Sequence, residues 1–364
     1  MALYQHVYQY SLLTADAQTN LAGEVIISGR LGAISGVHVP RLESRVAARI
    51  GRAHAVATCS ATAALEITLR ALGVGPGSEV VVPALGWVSV GAAVASTGAT
   101  VRVAPVDERL TPPFEQIMEL LSSATAAVVI AHLRGMLAFD IARIATELER
   151  RGIPLIEDCA QAWGVRGAGS YGAAAFFSTQ SHKLIATGEG GIIVCDDTAL
   201  AATMRALAGD TRIRMPTAAW RGNARMPEIS AALAIPQLEL LDELLERLRL
   251  LQRPTSELLG KVGRPVLPED FAASNGTRVG VWCDAPEAAS ALAARLDALG
   301  LLHWRPTLGD LHTCEAWPVR AGGSSPGWER YLDIQIPYAE GYDDQQEFLN
   351  LLDQAVTSVE GDAA

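Results

Sequence analysis

Ser60–Pro83, SATAALEITLRALGVGPGSEVVVP, is the stretch whose reading decides the architecture. Ala64, Leu65, Thr68, Leu69 and Leu72 recur at helical spacing with Gly73 as a stop signal, which predicts a helix of about three turns. The turn Gly75-Pro76-Gly77-Ser78 follows. Val80-Val81-Val82 is then a short apolar run ended by Pro83, the pattern of a strand buried on both faces. Outward from this unit the alternation continues. Strands are expected at Thr100–Val103, Ala127–Ala131, Leu155–Glu157, Ala174–Phe177 and Gly191–Cys195, with helices at Val90–Ser96, Phe114–Leu121 and Ile141–Arg151 among them. Alternating strands and helices specify an α/β fold with a mostly parallel sheet covered on both faces.

Beyond Trp220 the texture changes. Pro227–Gln252 is one long amphipathic pattern, with Ile229, Leu233, Leu238, Leu241, Leu244 and Leu248 on its apolar stripe. After Pro254 come a strand at Arg278–Cys283 and helices at Pro286–Leu299 and Asp344–Thr357, which suit a small α+β domain. The expected division is a large domain with an N-terminal arm over residues 1–245 and a small C-terminal domain over residues 246–364, a size that 364 residues accommodate.

Composition narrows the function classes. A formal charge of −11 gives no attraction to nucleic acid or to an anionic membrane, so neither partner is expected. Cys59, Cys159, Cys195, Cys283 and Cys314 are odd in number and form no C-x-x-C pair, which points away from a disulfide framework or a zinc site. Met1–Thr19 lacks the basic flank and apolar core of a secretory signal, and Val80–Ala95 is interrupted by Pro83 and Gly86 and is too short to span a bilayer. A cytoplasmic protein is expected.

Candidate chemistry gathers at the strand ends. Asp158 closes the strand Leu155–Glu157, and in open α/β sheets ligands collect at the carboxyl ends of strands. A carboxylate buried there needs a cation, and the protonated ring nitrogen of pyridoxal phosphate is one; a helix N-cap or a solvated turn is the alternative. Lys183 follows Ser178-Thr179-Gln180-Ser181-His182 and precedes Thr187-Gly188-Glu189-Gly190-Gly191, a glycine-rich turn where an amine can approach a cofactor. Burial beside a cationic ring would keep it partly neutral and nucleophilic, whereas an isolated lysine is ordinarily a solvated charge. Ser60-Ala61-Thr62 begins a helix whose free N–H groups suit a phosphate, or are simply capped by Ser60. Trp87 stands near the same sheet edge, to stack on a ring or to pack in the core. Gly167-Ala168-Gly169-Ser170-Tyr171-Gly172 spells G-x-G-x-x-G, yet it leads into the strand-like Ala173–Phe177 and not into a helix, so it lacks the context of a dinucleotide site.

Several segments in order resemble the DegT/DnrJ/EryC1/StrS sugar aminotransferases, fold-type-I pyridoxal-phosphate enzymes. They are Ser60–Leu65, Gly75–Val80, Glu157–Ala162, Phe177–Lys183, Gly188–Gly191 and Gly222-Asn223-Ala224-Arg225-Met226. The resemblance covers about Ser28 to Leu241 and implies a seven-stranded-type sheet, pyridoxal 5'-phosphate as cofactor, and Lys183 as Schiff-base lysine and proton shuttle. It further implies Asp158 on the ring nitrogen, Gln161 beside the ring hydroxyl, Trp87 on the ring face, and Ala61, Thr62 and Ser178 on the phosphate. Asn223 would reach the phosphate of a neighbouring subunit, hence a homodimer with shared sites. The expected reaction moves an amino group from glutamate or glutamine to a keto-cyclitol or keto-sugar in natural-product biosynthesis. Phe177-Ser178-Thr179-Gln180 and Gly86-Trp87-Val88 are closest to members acting on cyclitol ketones or making aminohydroxybenzoate. A dehydratase branch carries histidine in place of the lysine, and here Lys183 stands beside His182. Dehydration, cyclisation, amide formation and a non-catalytic homologue are the alternatives. Two departures stand out: Ala61 where glycine is common, and Trp163 where histidine is usual. Glutamate as donor requires a clamp for its side chain, to which no residue is assigned from sequence.

Overall fold

Successive residues of each central strand point to opposite faces of the sheet, and apolar cores are buried on both faces. The computed structural model describes residues 13–214, 220–268, 270–306, 327–337 and 342–363. Helices α1 (Ala15–Ser28) and α2 (His38–Ile50) precede strand β1 (His54–Thr58), helix α3 (Ala61–Ala71), β2 (Glu79–Pro83), α4 (Ser89–Ser96) and β3 (Thr100–Ala104). Next come α5 (Phe114–Leu120), β4 (Thr125–Ala131), α6 (Ile141–Arg150), β5 (Leu155–Asp158), β6 (Ala174–Ser178), β7 (Gly191–Cys195) and α7 (Thr198–Leu207). The sheet order is β1-β7-β6-β5-β4-β2-β3, and β7 alone of these seven strands runs against the rest. The mostly parallel sheet predicted from Ser60–Pro83 is therefore present.

Ala175, Phe177, Ile192 and Val194 face one core with Leu42 and Val46 of α2. Ala174, Phe176 and Ile193 face the other with Leu65 and Leu69 of α3 and Met204 of α7. Both faces are covered, which is why these strands read as unbroken apolar runs.

Helix α8 (Glu228–Leu259) is longer than its expected end at Gln252, with Pro236 and Pro254 inside it. Each proline forfeits one backbone hydrogen bond, but Leu251, Thr255, Ser256 and Leu259 are buried, and that burial holds the last turns. The division expected at residue 245 falls within this helix. Beyond it, β8 (Gly263–Val266), β9 (Arg278–Cys283), β10 (His303–Trp304) and β11 (Tyr331–Gln335) form an antiparallel sheet ordered β10-β11-β9-β8, with α9 (Pro286–Ala298) and α10 (Tyr342–Ala363). Cys314 lies outside the described residues. Among the described residues no helix is long and apolar enough to cross a membrane.

Candidate active site

The carboxyl ends of β1 and β6 meet the amino end of β7, because Thr58 and Ser178 are both register partners of Gly191. Helix α3 starts two residues after β1, and Ser60 caps it by accepting from the Ala63 N–H at 3.1 Å. A side chain on Gly191 would come within 2.5 Å of the Ser60 carbonyl and 2.6 Å of the Ala61 nitrogen. Only glycine at 191 admits this approach of β7 to the start of α3. The first turn of α3, with Ala61 and Thr62, and the buried Ser178 thus both flank Gly191, and a helix start of this kind favours an anion.

Asp158 ends β5, next to β6, and is 9% exposed. Burial pushes its pKa up, while the Ala160 N–H at 2.9 Å and the charge of Lys183 pull the other way. Lys183 is half-buried, its N–H donating to the Gln180 carbonyl at 2.9 Å. Desolvation lowers its amine to about 8, against the opposing pull of Asp158 and assisted by Arg278 and Arg134. An amine in that range is partly neutral at ordinary pH, as a nucleophile or proton shuttle must be.

This shift has a stability consequence. Without cofactor, folded Lys183 loses its proton near pH 8, whereas the unfolded chain keeps it to about 10.5. The unfolded state then binds more protons across that window, so stability rises with pH between those values. The difference in urea midpoint between wild type and Lys183→Met is expected to grow in favour of wild type from pH 8 to pH 10.5; a pH-independent difference would show that the amine is not depressed.

A cleft holding about 630 Å³ of empty space, open to solvent, surrounds this lysine and is lined by Gln161, Trp163 and His182 and by three residues from the second sheet's side, Asn275, Thr277 and Arg278. Gln161 Oε1 accepts from the Arg134 N–H at 2.8 Å, which leaves its Nε2 as a donor. Asn275 Nδ2 donates to the carbonyls of Gln161 and Trp163 at 2.9 and 3.1 Å, fastening the second sheet to the loop after Asp158. Arg134, Asn275 and Arg278 are site residues that sequence reasoning missed; the two arginines resemble solvated charges until the fold turns them inward.

Trp163 is fully buried, packed against Phe177 in a tilted pair with ring centroids 4.5 Å apart, and its Nε1–H donates to the Ser178 carbonyl at 2.7 Å. The departure at this position therefore braces the strand end that presents Ser178. Trp163→Phe keeps the ring packing and deletes the donor. We expect a loss of about 1–2 kcal/mol in urea denaturation, the cost of an unpaired buried carbonyl, together with faster cofactor release on dilution; unchanged values for both would show that the bond is not needed.

The G-x-G-x-x-G run binds an internal carboxylate. N–H groups of Gly169, Tyr171 and Gly172 donate to Glu157 at 2.9, 2.7 and 2.7 Å. His132 joins them: its Nδ1 accepts from the Ala138 N–H at 3.0 Å, so Nε2 carries the proton towards Glu157 at 2.9 Å. Burial alone would raise the Glu157 pKa, but His132 and these N–H groups outweigh it and hold it low. His132, Glu157 and Cys159 place ligand-type atoms within 4.8 Å of one another, yet both imidazole nitrogens are committed and burial pushes the Cys159 thiol up, so the trio is a structural brace under Asp158 and not a metal centre.

Trp87 and Asn223 are on the surface. Trp87 is 64% exposed in the loop after β2, which removes the core-packing alternative. Asn223 is exposed next to Ala224, whose carbonyl accepts from the Cys59 N–H at 2.8 Å, so it borders the start of α3.

The sequence model of the DegT/DnrJ/EryC1/StrS aminotransferase family matches residues 14–294. The chain belongs to that family. An L-glutamine:2-deoxy-scyllo-inosose aminotransferase from Micromonospora echinospora is 38% identical over 277 residues, 68% of this chain and 64% of the relative, so the match spans less than two thirds of that relative's length. Among solved structures, the aminotransferase TlmJ from Streptoalloteichus hindustanus superposes with a TM-score of 0.82 at 28% identity, covering 94% of this chain and 96% of the other. A 3-amino-5-hydroxybenzoic acid synthase superposes at 0.81 with 26% identity, covering 94% and 97%. DegT/DnrJ/EryC1/StrS aminotransferases depend on pyridoxal 5'-phosphate. The residues present fit it: an anion cup at α3 with a glycine that no Cβ can replace, a buried carboxylate lacking a full counter-charge, and an amine near neutrality.

Proposed function

We propose that this chain is a pyridoxal-phosphate-dependent aminotransferase that takes an amino group from glutamine or glutamate and delivers it to a keto-cyclitol or keto-sugar in natural-product biosynthesis. The observation that carries the reading is a half-buried Lys183 that lines the cleft and feels the charge of the buried Asp158 at the end of β5. Bound pyridoxal phosphate supplies the electron sink for the carbon that loses its proton. Lys183 Nζ is the attachment amine and then moves that proton; Asp158 keeps the ring nitrogen protonated. Ala61, Thr62 and Ser178 hold the phosphate, Gln161 Nε2 donates towards the ring hydroxyl, and Trp87 covers the ring face. Asn223 serves the site of a second copy, and the exposed apolar Ile26, Ile27, Leu31 and Val37 support such a homodimer. The cyclitol preference is supported by the relatives' names and by the Phe177–Gln180 run.

Purified protein is expected to absorb near the visible edge, and borohydride to abolish that band. Glutamine should convert it to the pyridoxamine spectrum, and members of a keto-cyclitol and keto-sugar panel should restore it. A band that glutamine and glutamate both leave unchanged would favour dehydration, cyclisation or amide formation at the same site.

A further inference from the structure

Carbonyls of the loop that follows Asp158 are held by side chains from much later in the chain. Asn275 Nδ2 donates to those of Gln161 and Trp163, and Arg249 Nη2 of α8 donates to that of Gly164 at 3.0 Å. Arg249 Nε also donates to the Ser274 carbonyl at 2.9 Å, so one guanidinium spans this loop and the segment that carries Asn275. A third segment joins them. The Asn275 N–H donates to the Gly135 carbonyl at 2.8 Å, and the neighbouring Arg134 N–H holds Gln161 Oε1 at 2.8 Å. Gln161, Arg134-Gly135 and Asn275 thus close a ring of hydrogen bonds at the edge of the cleft.

Asn275 lines the cleft, yet its amide has nothing left to offer a ligand. It is 1% exposed, both Nδ2 hydrogens go to carbonyls, and Oδ1 accepts from the Thr277 N–H at 3.2 Å and the Thr277 hydroxyl at 2.7 Å. A carboxamide has two donors and two lone pairs, and all are used. The same count fixes its orientation, since a flipped amide would set its oxygen against two carbonyls. Gly135 makes the fit possible: its φ is 70°, and a side chain there would come within 1.8 Å of Asn275 Oδ1. Gln161 is the opposite case. Its carbonyl and its Oε1 are engaged, while Nε2 has no hydrogen-bond partner among the described residues.

We propose that Asn275 is a positioning residue for the cofactor ring: it sets where Gln161 Nε2 stands against the ring hydroxyl, and thereby tunes the proton on Lys183 Nζ once that nitrogen is bonded to the cofactor. The inference rests on the placing of Gln161 in the reading above. A donor to the ring oxygen stabilises its negative charge, most of all when the nitrogen beside it carries no proton. Withdrawing the donor therefore raises the pH at which that nitrogen loses its proton. Deleting the Asn275 amide releases the Gln161 and Trp163 carbonyls together, and the loop that carries Nε2 is no longer fastened to Gly135. The charged and titratable groups that act on Lys183, namely Asp158 of β5, Arg278 of β9, Arg134 and the adjacent His182, are the same in every variant below.

The visible band of the holoenzyme responds to that proton, so its midpoint in a pH titration reads the effect without turnover. Gln161→Leu is expected to raise the midpoint by about one pH unit, a tenfold change in the proton equilibrium and the scale of one hydrogen bond to a charged oxygen. Asn275→Ala should raise it by about half as much or more, since it displaces the same donor without deleting it. The double variant should go no higher than Gln161→Leu alone, because both changes act through one amide. An additive double variant overturns the inference, for a general loosening of the fold would add to the loss of Gln161. Where Asn275→Ala yields no folded holoenzyme, Thr277→Val carries the test, as it deletes just the hydroxyl that holds Asn275 Oδ1. A rise that disappears in the Gln161→Leu background supports the positioning role, and no rise overturns it. If Gln161→Leu itself keeps the wild-type midpoint, the placing of Gln161 fails and this inference with it; a rise in Gln161→Leu that Asn275→Ala does not share overturns this inference alone.

Discussion

Replacing Lys183 with alanine is expected to lower turnover by at least about 10⁴-fold, because one side chain serves as attachment amine and as proton carrier, and groups acting as a unit are lost as a unit. Among the described residues no second amine lines the cleft to replace it. The other cationic or basic side chains among the lining residues are the guanidinium groups of Arg134 and Arg278 and the imidazole of His182. His182 is an exposed imidazole whose pKa is lowered by partial burial and by Lys183 and Arg278, so it is a weak base in this field. Lys183→Arg is expected to fare no better, since it keeps the charge and abolishes the neutral form. The measurement is borohydride treatment followed by intact-mass analysis. Wild type should gain the mass of one reduced cofactor and Lys183→Ala none. A stable adduct on another residue, or turnover within tenfold of wild type, would remove Lys183 from its role.

Asp158→Asn is expected to lower turnover by about 10²–10³-fold while the cofactor still binds, the range for deleting one preorganised charge partner. The replacement keeps an oxygen to accept the Ala160 N–H and removes only the charge. Stability of the cofactor-free protein should move the opposite way. Burial raises the Asp158 pKa above 3.8, so the folded state binds more protons than the unfolded state above that value, and its stability falls as pH rises through the folded pKa. Asparagine escapes that penalty. At pH 7 the variant should be more stable by about 1 kcal/mol or more, the scale for an unpaired buried polar group, and the advantage should vanish below pH 4. A variant that is both less active and less stable at pH 7 would mean that Asp158 is already fully compensated without the cofactor.

Opposite signs for activity and stability are a signature of a residue kept for a ligand. Asp158 contrasts with its neighbour Glu157, whose carboxylate is satisfied by three backbone N–H groups and His132. Adjacent acids on one strand thus divide into one that is satisfied internally and one that waits for a cation.

Much of the large domain was legible because its signals are local. The central strands are short apolar runs punctuated by glycine and proline, and Gly191–Cys195 coincides with its expected limits, as does Arg278–Cys283 in the second sheet. Helices α1, α2 and α7 and strand β1 carry no comparable run or lie outside the segments that the pattern marked. Strand β11 escaped for a clearer reason: Asp333 interrupts its apolar sequence, and a buried acid is intelligible only once Arg134 and Arg278 are beside it.

By itself the sequence determined the α/β alternation, the order of the strands along the chain, and the placing of Asp158 and Ser178 at strand ends and of Lys183 in the turn that follows, since hydrophobic period and turn chemistry act over a few residues. The tertiary structure decided what those residues face. It put Gly191 against Ser60, Trp163 under Ser178, the glycine run around Glu157, and two arginines 144 positions apart in the sequence (134 and 278) on one aspartate at 333. Such pairings depend on which strands become neighbours and on burial, which strips water from charges and makes their partners decisive, and neither is encoded within any single segment.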